Sequence, residues 1–271
     1  MDNKVSLKQF VLGSVAGRAA AWVRESASLI GAAITRPESL GARLNDSLAT
    51  HLVTHLPCKR FVDVGAHIGS IVTEVLRNTS ATVIAIEAMP DKVAALRRKF
   101  PGLIVHSCAV GESDGNVSFF VVPAASGYSS LIRSPNSVEI TVPLRRLDDL
   151  VTESVEMIKI DVEGAELGVL RGAERLIATS RPIIMFESGP GEAMYSQVAM
   201  WDWLAKRSYE VVVPDRVAHD GPALTRDGFS ESHCYPRRTT NYFAIPAERR
   251  NEVRSMARRV LGINADPPLG C

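Results

Sequence analysis

The chain has 271 residues, of which 46% are hydrophobic and 23% charged, and its 31 basic and 30 acidic residues leave a net charge of +1. This size and composition are typical of a globular α/β domain with an appendage, and the balanced charge argues against a broad nucleic-acid-binding surface. Cys58, Cys108, Cys234 and Cys271 lie far apart without a C-x-x-C pair, which excludes a zinc ribbon or a dithiol motif and favours the reducing cytoplasm.

Residues 1–56 predict an N-terminal helical extension. Apolar side chains recur at helical spacing over residues 10–23, Pro37 interrupts the pattern, and a second helix is expected over residues 40–55. Charged residues divide the apolar stretch, so it lacks the roughly 20 apolar residues of a transmembrane helix, and it shows no signal-peptide pattern. We expect a cap on the fold, a lid or a subunit contact, and the last of these would produce a homodimer.

The most informative motif is an apolar run that ends in a glycine turn. Residues 60–64 predict a strand, Gly65, Ala66, His67 and Gly69 form the turn, and a helix pattern follows at once. Glycine permits a sharp turn and close approach of a ligand, and the start of the helix offers free N–H groups. This arrangement favours a nucleotide-type cofactor site over an ordinary strand, turn and helix. The third glycine of a dinucleotide site is missing, which weakens an NAD interpretation.

A second predicted strand, residues 81–87, ends in an acidic residue. Pro90 and Asp91 then open a helix, where proline suits the first position and an acid suits the positive end of the helix dipole. The carboxylate of Glu87 has two acceptor oxygens and follows Gly69 at close to the expected interval of about 20 residues. We therefore predict that Glu87, with Ala88 beside it, binds the hydroxyl groups of a ribose.

The rest of the chain alternates predicted strands with predicted helices. The strands are expected at residues 103–106, 117–122, 138–142, 157–161, 183–187, 210–213 and 241–246, and the helices at 146–150, 167–177, 199–207 and near the C-terminus. Such alternation predicts a parallel sheet with helices on both faces. Residues 214–240 read as a polar loop, so the last two strands are expected to form an antiparallel hairpin, and the Ser- and Gly-rich loop 123–136 is a candidate flap.

Taken together, the motifs at residues 61–69, 86–87, 109–111, 158–166 and 170–173 resemble the FkbM family of S-adenosylmethionine-dependent methyltransferases. The run Ile-Lys-Ile-Asp-Val-Glu-Gly-Ala-Glu is the most specific of them. The resemblance covers roughly residues 58–246 and implies a Rossmann-like α/β fold: a seven-stranded, mostly parallel sheet with helices on both faces and the seventh strand antiparallel between the fifth and the sixth. We expect an extension at 1–56, a methyltransferase domain at 57–250, and a C-terminal helix and tail at 251–271.

The resemblance also implies a set of cofactor-binding residues. Asp63 helps to hold the methionine part of S-adenosylmethionine, and the adenine lies against Ser107, Cys108 and Ala109. The glycines of the turn are expected to contact the cofactor through their backbone. His67 stands where the family often has asparagine, and it either contacts the cofactor or caps the helix.

Three acidic residues are candidates for the chemistry. Asp161 and Glu163 follow a central strand and Glu187 ends the next one, which is where open α/β sheets place their ligands. A carboxylate can take the proton of an alcohol that receives a methyl group, and Asp161 is also expected to contact the cofactor. The same acids could bind Mg²⁺, which favours oxygen ligands, although we do not expect a metal ion. Glu163 could instead have only a structural role, as an acid at the positive end of a helix dipole.

We therefore expect a methyltransferase that acts on a hydroxyl group of a sugar, a glycosylated metabolite or a polyketide-type metabolite. One alternative is an oxidoreductase linked to NAD or to a nucleotide sugar, and another is a non-catalytic interaction module with the same fold. The acceptor itself is not determined by the sequence. Further candidate acceptor contacts in the loops are Tyr128, Ser129, Ser130, His219, His233 and Tyr235.

Overall fold

The computed structural model describes residues 40–121, 129–130, 138–189, 196–234 and 236–263. The predicted helix at 10–23 and most of the loop at 123–136 lie outside these ranges. The strands are β1 (Arg60–Val64), β2 (Thr82–Glu87), β3 (Ile104–Ser107), β4 (Ala109–Val110), β5 (Gly115–Val121), β6 (Ser129–Ser130), β7 (Val138–Arg145), β8 (Met157–Ile160), β9 (Ile183–Glu187), β10 (Tyr209–Val212) and β11 (Asn241–Pro246).

The α-helices lie mostly between these strands. They are α1 (Leu40–His55), α2 (Ser70–Asn78), α3 (Pro90–Lys99), α4 (Leu147–Leu150), α5 (Glu166–Gly172), α6 (Glu174–Ser180), α7 (Gln197–Ala205), α8 (Arg226–Ser232) and α9 (Arg250–Val260), and 3₁₀ turns occur at Pro214–Arg216 and Ala247–Arg249. Within the described ranges, no helix is both long enough and apolar enough to cross a membrane.

Seven strands form the main sheet, in the order β10-β11-β9-β8-β1-β2-β3. β1 pairs in parallel with β2 and β8, whereas β11 runs antiparallel between β9 and β10. The Rossmann-like order that the family resemblance implied, with the seventh strand of the sheet antiparallel between the fifth and the sixth, is thus confirmed. Chain order reverses between β1 and β8, and open α/β sheets bind their ligands outside the carboxyl ends of the strands at such a point.

Helices cover both faces of this sheet, because its central strands carry apolar side chains on both sides. One face packs Val62 and Ile158 against helices α5 to α8, and the other packs Phe61 and Met157 against α1, α2, α3 and α9. β1 and β8 are buried almost throughout, as expected for the middle of a parallel sheet with two covered faces. A polar side chain on these strands therefore needs a partner inside the protein.

A smaller sheet, in the order β4-β7-β5-β6, follows the third strand of the main sheet. β5 and β7 form the antiparallel ribbon predicted for residues 117–142, and β4 pairs in parallel with β7. Of the connecting loop, the structure describes only Ser129 and Ser130, whose backbone pairs with β5. The ribbon contributes Val117, Phe119 and Leu144 to the wall of the cavity described below.

The segment between β10 and β11 is not the loop that the sequence suggested. It contains α8, where the Thr225 side chain accepts a hydrogen bond from Gly228 N at 3.1 Å and so caps the first turn. Phe229 is fully buried, but the other positions of this seven-residue helix are mostly polar. So short a segment offers too few apolar positions to show a helical period, and the prediction of a connection without a helix was wrong. The antiparallel pairing predicted for the last two strands is confirmed, because β10 and β11 pair in this way.

The single helix predicted for residues 167–177 is instead two helices that meet at Ala173. The carboxylate of Asp148 accepts hydrogen bonds from Arg175 N at 3.0 Å and from Leu176 N at 2.8 Å, which satisfies the first turn of α6. A Cβ atom on Gly172 would lie 1.9 Å from the carbonyl oxygen of Gly111. The break between α5 and α6 thus directly follows a close contact with a neighbouring backbone.

Helix α1 confirms the helix predicted for residues 40–55, and it is fixed to the main sheet at its polar side. Asp46 Oδ1 accepts hydrogen bonds from Thr239 Oγ1 at 2.6 Å, Thr240 N at 2.9 Å and Asn241 Nδ2 at 3.1 Å. Ala49, Leu52 and Val53 of the same helix are buried in the core. α1 is thus packed onto the sheet, and the division of the chain after residue 56 stays a prediction.

Candidate functional site

A cavity of about 830 Å³ lies at the carboxyl ends of the central strands, within the range of about 300–1,000 Å³ that is usual for small-molecule sites. Its walls come from the turn after β1, the end of β2, the start of α3, the β3–β4 connection and the loop after β8. It brings together most of the predicted site residues: Gly65, Ala66, His67, Glu87, Ala88, Cys108, Ala109, Asp161, Glu163 and Glu187.

Three predicted site residues do not line this cavity. Asp63 is fully buried behind it, and Ser107 is an exposed residue at the end of β3. A Cβ atom on Gly69 would lie 2.6 Å from Phe100 and 2.8 Å from Leu96, so this glycine is needed for close packing against α3. Gly69 therefore shapes the turn from outside the cavity.

The turn after β1 is held by its own backbone. The N–H groups of Gly65 and Ala66 both donate to Ile86 O at 3.0 Å. Gly65 has a φ of 80°, and a Cβ atom there would lie only 1.9 Å from the carbonyl oxygen of Asp161. His67, with a φ of 51°, continues the turn in the left-handed region. Burial, followed by the positive charge of Lys92, lowers the pKa of His67, so its imidazole is neutral near pH 7.

Glu87 ties two walls of the cavity together. Its Oε2 accepts a hydrogen bond from His67 N at 2.8 Å, and its Oε1 accepts one from Met89 N at 2.8 Å. Each oxygen of a carboxylate can accept more than one hydrogen bond, so the pair retains acceptor capacity toward the cavity. The same side chain thus fixes the turn after β1 and offers two acceptors to a ligand.

The sequence reasoning missed Lys159, a cation at the centre of the site. Its Nζ donates to Gly65 O at 2.9 Å and lies 3.2 Å from Asp63 Oδ1 and 3.3 Å from Asp161 Oδ2. Neither oxygen of Asp63 accepts a hydrogen bond from the described backbone, so the ammonium is the counter-charge of this buried acid. The signal in the sequence was a lysine inside the apolar strand Met157–Ile160.

Asp161 and Glu187 form a carboxyl pair across the ends of β8 and β9. Burial, and then the hydrogen bond and negative charge of Asp161, raise the pKa of Glu187 to about 8. Burial also raises the pKa of Asp161, but the charge of Lys159 and the hydrogen bond from Glu187 outweigh it and leave a net lowering. Near pH 7 the pair therefore holds one proton, on Glu187, and Asp161 is ionised.

Glu163 differs from these two acids because it makes no hydrogen bond or ion pair with the described residues. It stands in the left-handed region with a φ of 55°, followed by Gly164 with a φ of 97°. Glu166 holds this loop by accepting hydrogen bonds from Val162 N and Gly164 N at 3.2 Å and 3.1 Å. Burial, and then the charge of Asp161, raise the pKa of Glu163. The loop thus presents an unengaged carboxyl group to the cavity.

Other cavity residues also escaped prediction. Ser70 and Ile71 begin α2, Lys92 lies in the first turn of α3, Thr50 comes from α1, and Asn241 begins β11. The helix in the predicted N-terminal extension therefore contributes to the cavity wall. No local pattern indicated Thr50 or Asn241 as cavity residues, because their positions depend on long-range packing.

The predicted loop contacts lie elsewhere or outside the description. His219 binds Gly221 N through its Nδ1, and His233 is buried between Ser188 and Phe229 O; neither lines the cavity. Nothing is described of Tyr128 and Tyr235, or of the side chains of Ser129 and Ser130. Among the described residues, no three histidine, cysteine or acidic side chains are grouped so as to hold a metal ion.

Comparison with known proteins gives one family. The model of the methyltransferase FkbM domain matches residues 63–211. The chain is similar to Methyltransferase 1 of Beauveria bassiana (strain ARSEF 2860), with 27% identity over 42% of this chain and 57% of that protein. It is also similar to Methyltransferase sdnD of Sordaria araneosa, with 26% identity over 45% of this chain and 63% of that protein. The chain thus spans less than two thirds of the length of either relative.

Solved structures include similar folds at low sequence identity. The methyltransferase FkbM of Methylobacillus flagellatus KT matches with a TM-score of 0.43 and 19% identity, over 69% of this chain and 43% of that chain. A TehB-like S-adenosylmethionine-dependent methyltransferase of Corynebacterium glutamicum ATCC 13032 Kitasato matches with a TM-score of 0.41 and 9% identity, over 73% of this chain and 85% of that chain.

Proposed function

The chain belongs to the FkbM methyltransferase family, and from this premise we propose that it transfers a methyl group from S-adenosylmethionine to a hydroxyl group of a small molecule. The observation that carries the proposal is the charge of the cavity, whose walls hold five carboxyl groups and two lysines. A sulfonium cofactor is attracted to such a site, whereas the pyrophosphate of NAD is repelled by it.

The residues present fit this cofactor. Glu87 would accept both ribose hydroxyls with the acceptor capacity that its two backbone bonds leave free. The small side chains of Cys108 and Ala109 would border the adenine, and the free N–H groups at the start of α2, beside Ser70 and Ile71, would receive the carboxylate of the methionine part.

When bound, S-adenosylmethionine supplies a methyl group made electrophilic by its sulfonium. The protein must align the acceptor oxygen and remove its proton. Glu163 is the best placed general base, because its carboxyl group is unengaged by the described residues and burial raises its pKa above the ordinary value. Asp161 is held by Lys159 and by the proton on Glu187, so it would orient the acceptor and add negative charge beside the sulfonium.

The proposed acceptor is a hydroxyl group of a sugar, a glycosylated metabolite or a polyketide-type metabolite. Thr50 and Asn241 would lie on the acceptor side, because Asn241 pairs with Glu187 in the sheet. We propose a reaction without Mg²⁺, since the ammonium of Lys159 and the shared proton already occupy oxygen atoms of Asp161 and Glu187 that a cation would need. Chelation should then leave the rate unchanged.

The test is calorimetric titration of the purified protein with S-adenosylmethionine and, separately, with NAD. Binding of S-adenosylmethionine alone would support the proposal, and transfer of a labelled methyl group to a panel of sugars and polyketides would identify the acceptor class. Glu87→Gln should weaken binding of S-adenosylmethionine. The matched control is Glu112→Gln, because Glu112 also borders the cavity but pairs with Arg171.

Two results would contradict the proposal. Binding of NAD instead of S-adenosylmethionine would favour the oxidoreductase alternative. Binding of neither molecule by a protein whose circular dichroism and cooperative unfolding show that it is folded would favour an interaction module.

A further inference from the structure

Lys92 is a buried cation in the cavity wall that has no hydrogen-bonded or ion-paired partner among the described residues. Its side chain belongs to a residue that is only 8% exposed, and it lines the cavity. Within the described ranges its ammonium makes no hydrogen bond and no ion pair, in contrast to Lys159 with its three partners. An ammonium withdrawn from water without a partner is strongly disfavoured, and a ligand that fills the cavity would remove its remaining water.

The backbone around Lys92 favours the same kind of partner. Helix α3 begins at Pro90, and its N-cap residue Met89 makes no side-chain capping hydrogen bond. The N–H groups of Asp91 and Lys92 therefore have no partner within the helix, and the helix dipole adds positive potential at this end. A cation at the start of a helix is opposed by this dipole, so an anion between the two would relieve both.

The nearby charges leave room for this anion. Lys92, His67 and Glu163 all line the cavity, and the charge of Lys92 acts to lower the pKa of the other two. Neither interaction is an ion pair, and His67 is neutral near pH 7 because burial and Lys92 lower its pKa. The start of α3 also meets the carboxylate of Glu87, which accepts a hydrogen bond from Met89 N at 2.8 Å. Beyond this contact, the N–H groups of Asp91 and Lys92 and the ammonium of Lys92 make no hydrogen bond with the described residues, so they remain for a second anion.

The proposed cofactor has one carboxylate, and another helix is available for it. Helix α2 also begins without a side-chain cap, at Gly69, and its first residues Ser70 and Ile71 line the cavity. With the cofactor carboxylate at α2, the start of α3 remains for a second anion, which only the other substrate can supply.

We infer that Lys92 and the start of α3 bind a carboxylate or phosphate group carried by the methyl acceptor. The acceptor is then an acidic molecule, such as an acidic sugar or a phosphorylated or carboxylated metabolite, whose anion anchors it while a neighbouring hydroxyl group faces Glu163. This inference rests on the proposed function for the identity of the second substrate, but the anion site itself does not.

The test titrates inorganic phosphate into the protein saturated with S-adenosylhomocysteine. The variants are Lys92→Met, Lys92→Arg and the control Lys206→Met, since Lys206 is exposed just after α7 and does not line the cavity. We expect Lys92→Met to weaken phosphate binding by about tenfold or more, and Lys92→Arg and Lys206→Met to retain it. Affinity for S-adenosylhomocysteine should stay within about twofold in all variants.

Each other outcome has a defined meaning. Absence of phosphate binding, or equal binding by Lys92→Met, overturns the anion site. Competition between phosphate and S-adenosylhomocysteine, or a tenfold loss of S-adenosylhomocysteine affinity in Lys92→Met, assigns Lys92 to the cofactor carboxylate and overturns the acceptor assignment. Binding of phosphate through Lys92 by a protein that binds no S-adenosylhomocysteine would support the anion site and contradict the proposed function.

Discussion

Replacing Glu187 by glutamine tests whether the carboxyl pair with Asp161 holds a proton at neutral pH. A protonated carboxyl group and a carboxamide are nearly the same shape, and both can donate a hydrogen bond to Asp161. If Glu187 is protonated, Glu187→Gln should leave the fold unchanged below pH 6. The difference should appear only where the wild-type carboxyl group begins to lose its proton.

The sign and size of the effect follow from the pKa of Glu187, which the protein raises from 4.5 to about 8. Between these values the folded chain keeps a proton that the unfolded chain has lost, so the wild-type free energy of unfolding falls as pH rises. The full shift corresponds to about 5 kcal/mol, but this carboxyl group faces a solvent-filled cavity. Screening of the carboxylate by water should reduce the pH-dependent fall in the free energy of unfolding to roughly 1–3 kcal/mol. Glu187→Gln should show no such fall, because a carboxamide does not lose a proton in this range.

The assay is urea unfolding of both proteins at several values between pH 5 and pH 9. The free energy of unfolding of wild type minus that of Glu187→Gln should decrease steadily over this range, with Glu112→Gln as a control that shows no such trend. A constant difference, or a variant that is already strongly destabilised at pH 5, would show that Glu187 is ionised in the folded protein and would refute the shared proton.

The remaining predictions concern catalysis and the core of the site. Glu163→Gln should bind S-adenosylmethionine with an affinity within about twofold of wild type, but its single-turnover rate should fall by a factor of roughly 10²–10⁴. Asp161→Asn should also bind S-adenosylmethionine and should transfer the methyl group more slowly. Full activity of either variant would show that the replaced residue takes no part in the chemistry. Gly65→Ala should lower the free energy of unfolding in urea by more than about 3 kcal/mol, because its Cβ atom would lie 1.9 Å from Asp161 O. The control Gly41→Ala, with open space around residue 41, should not lower it. Lys159→Met should lower the free energy of unfolding by about 3–5 kcal/mol, because it leaves the buried carboxylate of Asp63 without its counter-charge. A variant as stable as wild type would contradict the role of Lys159 as that counter-charge.

The parts of the fold that follow from local pattern could be predicted. The apolar strands and the helices between them repeat a pattern that α/β sheets share, and the strand that ends at Glu87 also placed that acid at the edge of the cavity. Helix α8 could not be found in this way, because Phe229 is its main apolar contribution to the core. The break at Ala173 depends on Asp148, a residue distant in sequence.

The site residues show the same division between local and long-range causes. The glycine motif indicated a sharp turn correctly, but it did not indicate what lies beside each glycine. Gly65 faces the backbone of Asp161 and Gly69 faces Leu96 and Phe100, so packing within the protein requires both glycines even without a ligand. Glu87 stands at the end of a strand, where a ligand contact was predicted, but it also binds the backbone on both sides.

Lys159 determines which acids remain available to a ligand. Its single positive charge lies between Asp63 and Asp161, and the proton on Glu187 neutralises the next acid. Besides Glu187, two carboxyl groups of the central cavity then remain outside any ion pair among the described residues: Glu87, at the end of β2, and Glu163, after β8. Because these two acids stand on different strands, in the proposed reaction one would hold the ribose while the other would reach the acceptor. A buried lysine in an apolar strand would thereby separate cofactor binding from chemistry, in a site whose sequence shows only a series of similar acids.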